Sequence, residues 1–583
     1  MASIERETAA EEASSSTDPA ASEDRTKGTP SFMKHLISLL TTLSLLVGTA
    51  NADPVTASTI ATLLASSASV DTAVPSVAST PDGQTIVAWV EAVGFTRTLR
   101  VAFLDRTGTL VSGPSTVNLG TLNPIEIDAA ATPNGFMVCF GADTTTTVGL
   151  RDIHYRTFDL LGTETGSGQA NTLTALDESR PKCDGNFAGD YCITWRRTAA
   201  FGVAPSSGIF ARRFNSTGGA IDATEVRVDD PLVGFFANQD GPSVGFWNSG
   251  RLVFTWTDGT NGTPASTTNS PDGHGQGVLA RFFDASMTPL TSAIVVTATT
   301  ANDQFEPLVA VDALDGCVIG WCGDTTPTLV DAYIRRFDNA GNALDANDQN
   351  LTLSNFSSDQ FLMGLGVAAN GEIVASWHDQ TATPGQPGPR VGWARLDQNA
   401  NQYGSGLFET GGPASASHYF PRIGVDQFGN FVGAWQIFTP GSPVEIRMRR
   451  YQRNMLAVTT TTPTVGGFLS VFIDSPSDAN APYLIGVSGG PGPFYFGSRT
   501  VGLTQDALLD YVTTGGGGIA GPIFYNFAGM LDATGSTSLP GVLIPNYPPL
   551  SGQSVYFVFA TGNGPAAAGG VNTISESLQV TIL

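Results

Sequence analysis

One pattern of apolar and polar positions returns seven times along the chain. A short alternating stretch, usually opened by proline, leads into a Gly-centred turn. An apolar run follows and ends in an aromatic residue. After a variable loop, a third run ends in an apolar residue followed by an acid or amide. The second runs end at Trp89, Phe140, Trp195, Trp256, Trp321, Trp377 and Trp435. The turns before them use Asp82-Gly83, Asn134-Gly135, Gly189, Gly250, Asp315-Gly316, Asn370-Gly371 and Gly429-Asn430. Asn-Gly and Asp-Gly favour tight hairpins because Gly accepts positive φ. The opening prolines are Pro75, Pro124, Pro181, Pro242, Pro307 and Pro421, with Leu362 in the sixth copy. The third runs end at Leu104-Asp105, Phe158-Asp159, Phe214-Asn215, Phe283-Asp284, Phe337-Asp338, Leu396-Asp397 and Tyr451-Gln452.

Each third run is followed by another β-prone stretch, such as Glu225–Val228 or Ala293–Thr297. Four strands per unit, repeating at a period of about 51 to 65 residues, predict the blades of a β-propeller. The seventh unit lacks its fourth stretch. Val55–Val74, ahead of the first proline, can supply it and close the ring, which removes open sheet edges. The expected fold is therefore all-β: a seven-bladed propeller over residues 53–454, closed by an N-terminal strand.

From about Leu456 the period is lost. Thr459–Thr462 and Pro463 read as a linker. Strand-like runs follow at Phe468–Ile473, Tyr483–Val487, Val542–Ile544, Val555–Phe559 and Leu578–Leu583, with one short helix over Leu503–Tyr511. Residues 455–583 are expected to form a C-terminal β-sandwich.

At the other end, Met33-Lys34-His35, the apolar run Leu36–Val47 and Ala50-Asn51-Ala52 have the layout of a secretory signal peptide. Residues 33–52 are read as that signal, and residues 1–32 as a disordered leader ahead of the true start at Met33. The apolar run is too short for a stable span, and no other segment spans a membrane, so the mature chain is expected outside the cell, at its surface, or in the periplasm. A formal net charge of −24 disfavours nucleic acid and anionic lipid as partners.

The Pro-Ser-Val-Ala…Asp-Gly…Ile-Val-Ala-Trp pattern, with strands such as Phe210-Ala211-Arg212-Arg213-Phe214, resembles repeats of large secreted bacterial proteins of hemolysin-type and adhesin-like build. The C-terminal stretch, through Gly466–Val487, Leu531-Asp532-Ala533-Thr534-Gly535 and Gly552-Gln553-Ser554-Val555-Tyr556, is similar to terminal β-domains of planctomycete-like secreted proteins. The first resemblance implies architecture without one activity. The second implies a sorting, anchoring or spacer role.

Candidate chemistry is sparse. The seven aromatic landmarks, at one fixed place per unit, read as blade core rather than as a sugar platform. Arg156, Arg212, Arg281, Arg335 and Arg449 recur on the third strands. An anion-binding ring is one reading. Packing of each stem on the next blade, with an Asp partner, is the preferred one. Cys183 and Cys192 flank a predicted hairpin turn and are the candidate disulfide. Cys317 and Cys322 read as buried thiols, and Cys139 has no evident partner. His154, His274, His378 and His418 fall in separate units without ligand spacing; His274 lies in a Gly-rich loop suited to a binding face. Asp338-Asn339-Ala340-Gly341-Asn342 and Asp345–Asp348 offer oxygen ligands without EF-hand spacing, so calcium is the sole cofactor considered. No catalytic pair stands out among 52 acidic residues. The leading expectation is a secreted binding or cell-surface interaction protein whose propeller loops recognise a glycan or protein. The alternatives are a sialidase-like carbohydrate-active hydrolase at the channel mouth and a structural envelope component.

Overall fold

The computed structural model describes residues 55–57, 62–67, 74–144, 147–198, 207–229, 239–259, 275–313, 315–326, 329–352, 358–380, 389–408, 416–453, 455–496, 499–514, 523–562 and 570–583. The expected leader (1–32), the expected signal segment (33–52) and His274 lie outside them.

The described chain is almost wholly β and β-propeller-like. Six sheets follow one another, each built from four consecutive antiparallel strands. The fifth is typical: Gln304–Val311, Gly316–Thr326, Leu329–Asp338 and Gln349–Asn350. A seventh sheet holds Ser417–Val425, Phe431–Phe438 and Val444–Arg453, and the N-terminal strands Val55–Ala57 and Thr62–Ser67 both pair with Val444–Arg453. The first strands of successive sheets touch in cyclic order, and Ser417–Val425 returns to Ser76–Ser79. Leu64, on the N-terminal segment, is buried among Val432, Val444 and Met448 of the seventh sheet and Val87 and Trp89 of the first.

Sheets packed face to face bury both sides of their middle strands, so those strands read as apolar runs rather than alternating ones. Leu252–Gly259 is buried at every position. Six of the landmark aromatics are at most 1% exposed, and Trp377 is 8% exposed. They are core. In the first six sheets the acid or amide that ends the third strand caps the following turn: Asp338 Oδ1 accepts the N–H groups of Ala340 (2.9 Å) and Asn342 (2.8 Å), and Asp397 does the same for Asn399 and Asn401.

The third-strand arginines join sheets. Arg335 donates to the Val296 carbonyl of the preceding sheet (2.9 Å) and to the Asp345 carbonyl (3.0 Å). Arg212, Arg281 and Arg449 reach Ala170, Asp229 and Phe408 carbonyls in the same way. Arg212, Arg335 and Arg449 are held by backbone carbonyls rather than by the expected Asp side chains, whereas Arg156 pairs with Glu164 of its own sheet at 3.4 Å. The adjoining Arg213 and Arg336 take the acids Asp222 and Asp345.

The expected Cys183–Cys192 disulfide is absent, and both are free thiols. Cys183 pairs with Ile193, and Cys192 pairs with Asp184. One position out of register, their side chains leave opposite faces of the sheet. Cys183 instead packs in the core that holds Cys139 of the preceding sheet.

In the C-terminal part, one sheet orders Leu456–Val458, Phe468–Asp474, Gly541–Leu543 and Phe524–Tyr525. Another orders Ala528–Met530, Pro482–Ser488, Ser554–Thr561 and Leu578–Thr581. Leu469, Val471, Ile485, Val487, Phe557 and Phe559 share one core between them. This unit rests on the turns that follow the first strands of the ring. Thr500 N–H donates to Gln427 (2.8 Å), Asn370 to Thr573 (3.1 Å) and Asn430 to Glu576 (2.9 Å), while Phe187 meets Tyr495 edge-on.

Candidate functional site

With the C-terminal unit set against the turn side, the opposite end of the channel carries the candidate site. There the first strands share an irregularity. In the second to seventh sheets, the pairing of first and second strands shifts register by a bulge. Pro181, Pro242, Pro307 and Pro421 sit inside these bulges, where the absent N–H breaks the ladder at least cost. The residue before each of these prolines has positive φ: Arg180 (52°), Gly241 (51°), Glu306 (51°) and Phe420 (52°). In the second sheet the bulge residue is Glu126 (51°), so Pro124 lies two residues short of it. Left-handed backbone costs a non-Gly residue about 1–2 kcal/mol. It is carried at four places around one cavity, and backbone strain of this kind clusters at functional sites.

That cavity measures about 800 Å³. Its polar rim is one connected network. Arg180 Nε lies 3.1 Å from Asp240 Oδ1, its Nη1 donates to Glu306 Oε1, and its backbone N–H donates to Glu126 Oε2 at 2.7 Å. Asp240 also holds Arg196 at 2.9 Å, and Arg151 joins Glu126 (3.5 Å) to Asp177 (2.8 Å). Burial works against the charged Arg180 guanidinium, but Glu306 and Asp240 outweigh it and hold its pKa above the ordinary arginine value. Because Glu306 and Asp240 grip the same guanidinium, they lie no further apart than the roughly 5–10 Å that carboxylate-driven glycoside cleavage uses.

Phe305, Phe361 and Phe420 form an apolar wall beside this rim. His378 backs it, edge-on to Tyr419 at 5.0 Å and 6.0 Å from Phe420. Burial pushes its pKa down to about 4, so the ring is neutral near pH 7. Arg422, Lys182, Leu308 and Met363 line both this cavity and a smaller one of about 300 Å³ further along the axis. Lys182 is tied to Asp128 at 3.5 Å.

The sequence-selected residues lie elsewhere. The landmark aromatics are core, Arg212, Arg281, Arg335 and Arg449 bind carbonyls between sheets, and Arg156 pairs with Glu164 within its own sheet. His154 stacks on Phe140 at 5.8 Å, with a pKa that burial lowers to about 4. His418 N–H donates to the Pro389 carbonyl. Asp338 and Asp348 oxygens are held by backbone N–H groups, and those of Asp345 by Arg336 and its N–H. Among the described residues, no group of three or more His, Cys, Asp or Glu side chains is placed to hold a metal ion. Nor is any described helix long and apolar enough to cross a membrane. Sequence reasoning missed Glu126, Arg180, Asp240, Glu306 and Arg422. For Arg180 and Glu306 the signal was the residue before the landmark proline, which changes character from copy to copy inside a constant frame; Glu126, Asp240 and Arg422 lie within two residues of a landmark proline.

No family model and no curated protein matches the chain. Among solved structures it is similar to an ulvan lyase of polysaccharide lyase family PL25 (10% identity, 65% of this chain and 94% of that one, TM-score 0.44). It is also similar to an α-L-arabinanase of Penicillium chrysogenum (12% identity, 67% and 98%, TM-score 0.36). A third is a protein of unknown function from Dyadobacter fermentans (10% identity, 68% and 99%, TM-score 0.40). The expectation of a secreted binding or cell-surface interaction protein working through its propeller loops is corrected here. The first two are glycan-processing enzymes, and the charged groups of this mouth stand on the strands of the ring instead of its loops.

Proposed function

We propose that this chain is an exported glycan-processing enzyme built on a seven-bladed β-propeller closed by its N-terminal strands, with a C-terminal β-sandwich against the face opposite the site. The observation that carries the reading is the row of bulges that turns Glu126, Arg180, Glu306 and Phe420 into one cavity at a cost in backbone strain. A sugar ring fits between the Phe305, Phe361 and Phe420 wall and the carboxylate rim. Cleavage of a glycosidic bond needs one carboxyl group to protonate the departing oxygen and a second to act as base or nucleophile. Glu306 and Asp240 supply that pair, and Arg180 fixes their separation.

The test is release of new sugar ends from a panel of neutral, uronate-bearing and sulfated polysaccharides. Glu306→Gln and Asp240→Asn are expected to lower turnover by about 10²-fold or more, as loss of an acid–base group does, with unchanged melting. No cleavage of any polymer by the parent chain overturns the proposal.

A further inference from the structure

Charge in the cavity is distributed unevenly with depth. Among the described residues, Arg180 at the rim is matched by Glu306 and Asp240, and the arginines behind it are matched as well: Arg196 by Asp240, and Arg151 by Asp177 and Glu126. Deeper, Lys182 has Asp128. Arg422, at the neck between the two cavities, differs. Its Nη1 donates to the Met363 carbonyl and lies 3.4 Å from the Met363 sulfur, and it forms no ion pair among the described residues. It is partly buried. Burial lowers its pKa, and Asp128, Glu306 and Cys322 counter that only in part.

An arginine removed from bulk water without a carboxylate partner is costly. In a chain with a net charge of −24, acids are abundant, so an unpaired cation facing a cavity is a vacancy for a counter-ion brought by the ligand. The guanidinium presents a planar fork of donors, of which Met363 takes one arm. That fork matches the paired oxygens of a carboxylate or a sulfate ester. The neighbouring Phe361 and Phe420 give the carbon face of the same sugar an apolar surface.

We propose that Arg422 is the specificity-determining residue of this site and selects glycans bearing a carboxylate or sulfate on the sugar that reaches the neck; this rests on the glycan reading above. Arg422 sets which sugar sits at the neck, and the carboxylates at the rim act on its linkage.

Titration calorimetry of the full chain with three probes tests it: a galacturonic acid hexamer, a sulfated galactose hexamer and a neutral arabinose hexamer. The parent is expected to bind at least one anionic hexamer and to bind the neutral one about ten- to a hundredfold more weakly, the value of one charge-assisted pair. Arg422→Gln should remove that preference, and Arg422→Lys should restore part of it. The two anionic arms separate carboxylate from sulfate. Melting curves confirm that the variants fold; should Arg422→Gln unfold, Arg422→Lys alone must still shift the anionic affinity and spare the neutral one. Equal binding of neutral and anionic hexamers, no binding of either anionic hexamer, or an unchanged preference in the variants overturns the inference. Anionic binding lost in Arg422→Gln without cleavage by the parent would uphold it while sinking the enzyme. Cleavage of neutral polymers indifferent to Arg422 would do the reverse.

Discussion

Glu306 carries both the backbone strain of the ring and, in the proposed function, the chemistry of its mouth, so substitutions there separate the two. Its φ is 51°, and its N–H donates to Thr257 Oγ1 of the preceding sheet at 3.0 Å, which pins the bulge. Left-handed backbone at a residue with a Cβ costs about 1–2 kcal/mol. Asn bears that conformation more readily than most residues, and a β-branched residue bears it least. The Glu306 side chain is 54% exposed, so its pair with Arg180 is worth only about 0–1 kcal/mol. For Glu306→Asn the lost pair and the relieved strain nearly cancel, and stability should stay within about 1 kcal/mol of the parent. For Glu306→Val both terms act against the fold, and the loss should be about 2 kcal/mol or more. Urea denaturation followed by tryptophan fluorescence reads the difference. Equal stability of the Asn and Val variants would refute a left-handed constraint at this position. Both variants should lose turnover. Full activity in Glu306→Asn would show that the carboxylate only braces Arg180.

Leu64 tests the closing of the ring. It is 6% exposed between the first and seventh sheets, so Leu64→Ala should cost about 2–5 kcal/mol. The control Leu110→Ala, at a site 41% exposed, should cost no more than about 0.5 kcal/mol. Equal melting of the two would mean that the N-terminal segment does not hold the ring. Asp184 gives a pH dependence. Burial raises its pKa to about 7, although its carboxylate accepts the Phe246 and Gly185 N–H groups. A raised folded-state pKa gives stability that is complete below the unfolded value near 4 and fades as pH climbs through 7. The parent should therefore lose more stability than Asp184→Asn between pH 5 and pH 8 in urea titrations. Parallel titrations of parent and variant would exclude this carboxyl as the cause.

What was legible in the sequence is what packing imposes on every sheet. Trp256 and Trp321 recur because two neighbouring sheets must be filled at the same height, and Asp338 and Asp397 recur because each turn needs its N–H groups capped. The pairing of the N-terminal strands with Val444–Arg453 was legible because the seventh unit lacked a strand that the N-terminus could supply. The hairpin of Cys183 and Cys192 was misjudged by one residue. Asn186 and Asp190 close its turn so that Gly185 meets Tyr191, and one position of register changes the face of every side chain. The C-terminal helix begins at Ala507, four residues later than the apolar pattern suggested, because Asp506 caps the N–H groups of Leu508 and Leu509.

The candidate site was hidden for a different reason. Periodicity arguments look for positions that agree among copies, and the mouth is made of positions that do not. Arg180, Gly241, Glu306 and Phe420 occupy one backbone position, each before a proline, and share a φ near 51–52°. The ring keeps the geometry constant while the side chain is free to differ: a cation, a vacancy, a carboxylate and an aromatic. Gly241 shows what the difference achieves. A Cβ there would meet Glu306 Oε2 at 3.5 Å and Thr257 Oγ1 at 3.5 Å, so a longer side chain would crowd the carboxylate that Arg180 holds. The fourth sheet instead contributes through Asp240, one residue earlier, which grips Arg180 and Arg196 together. In a repeat fold whose frame is fixed by packing, the frame position with the most varied chemistry and the most constrained backbone is where function should be sought first.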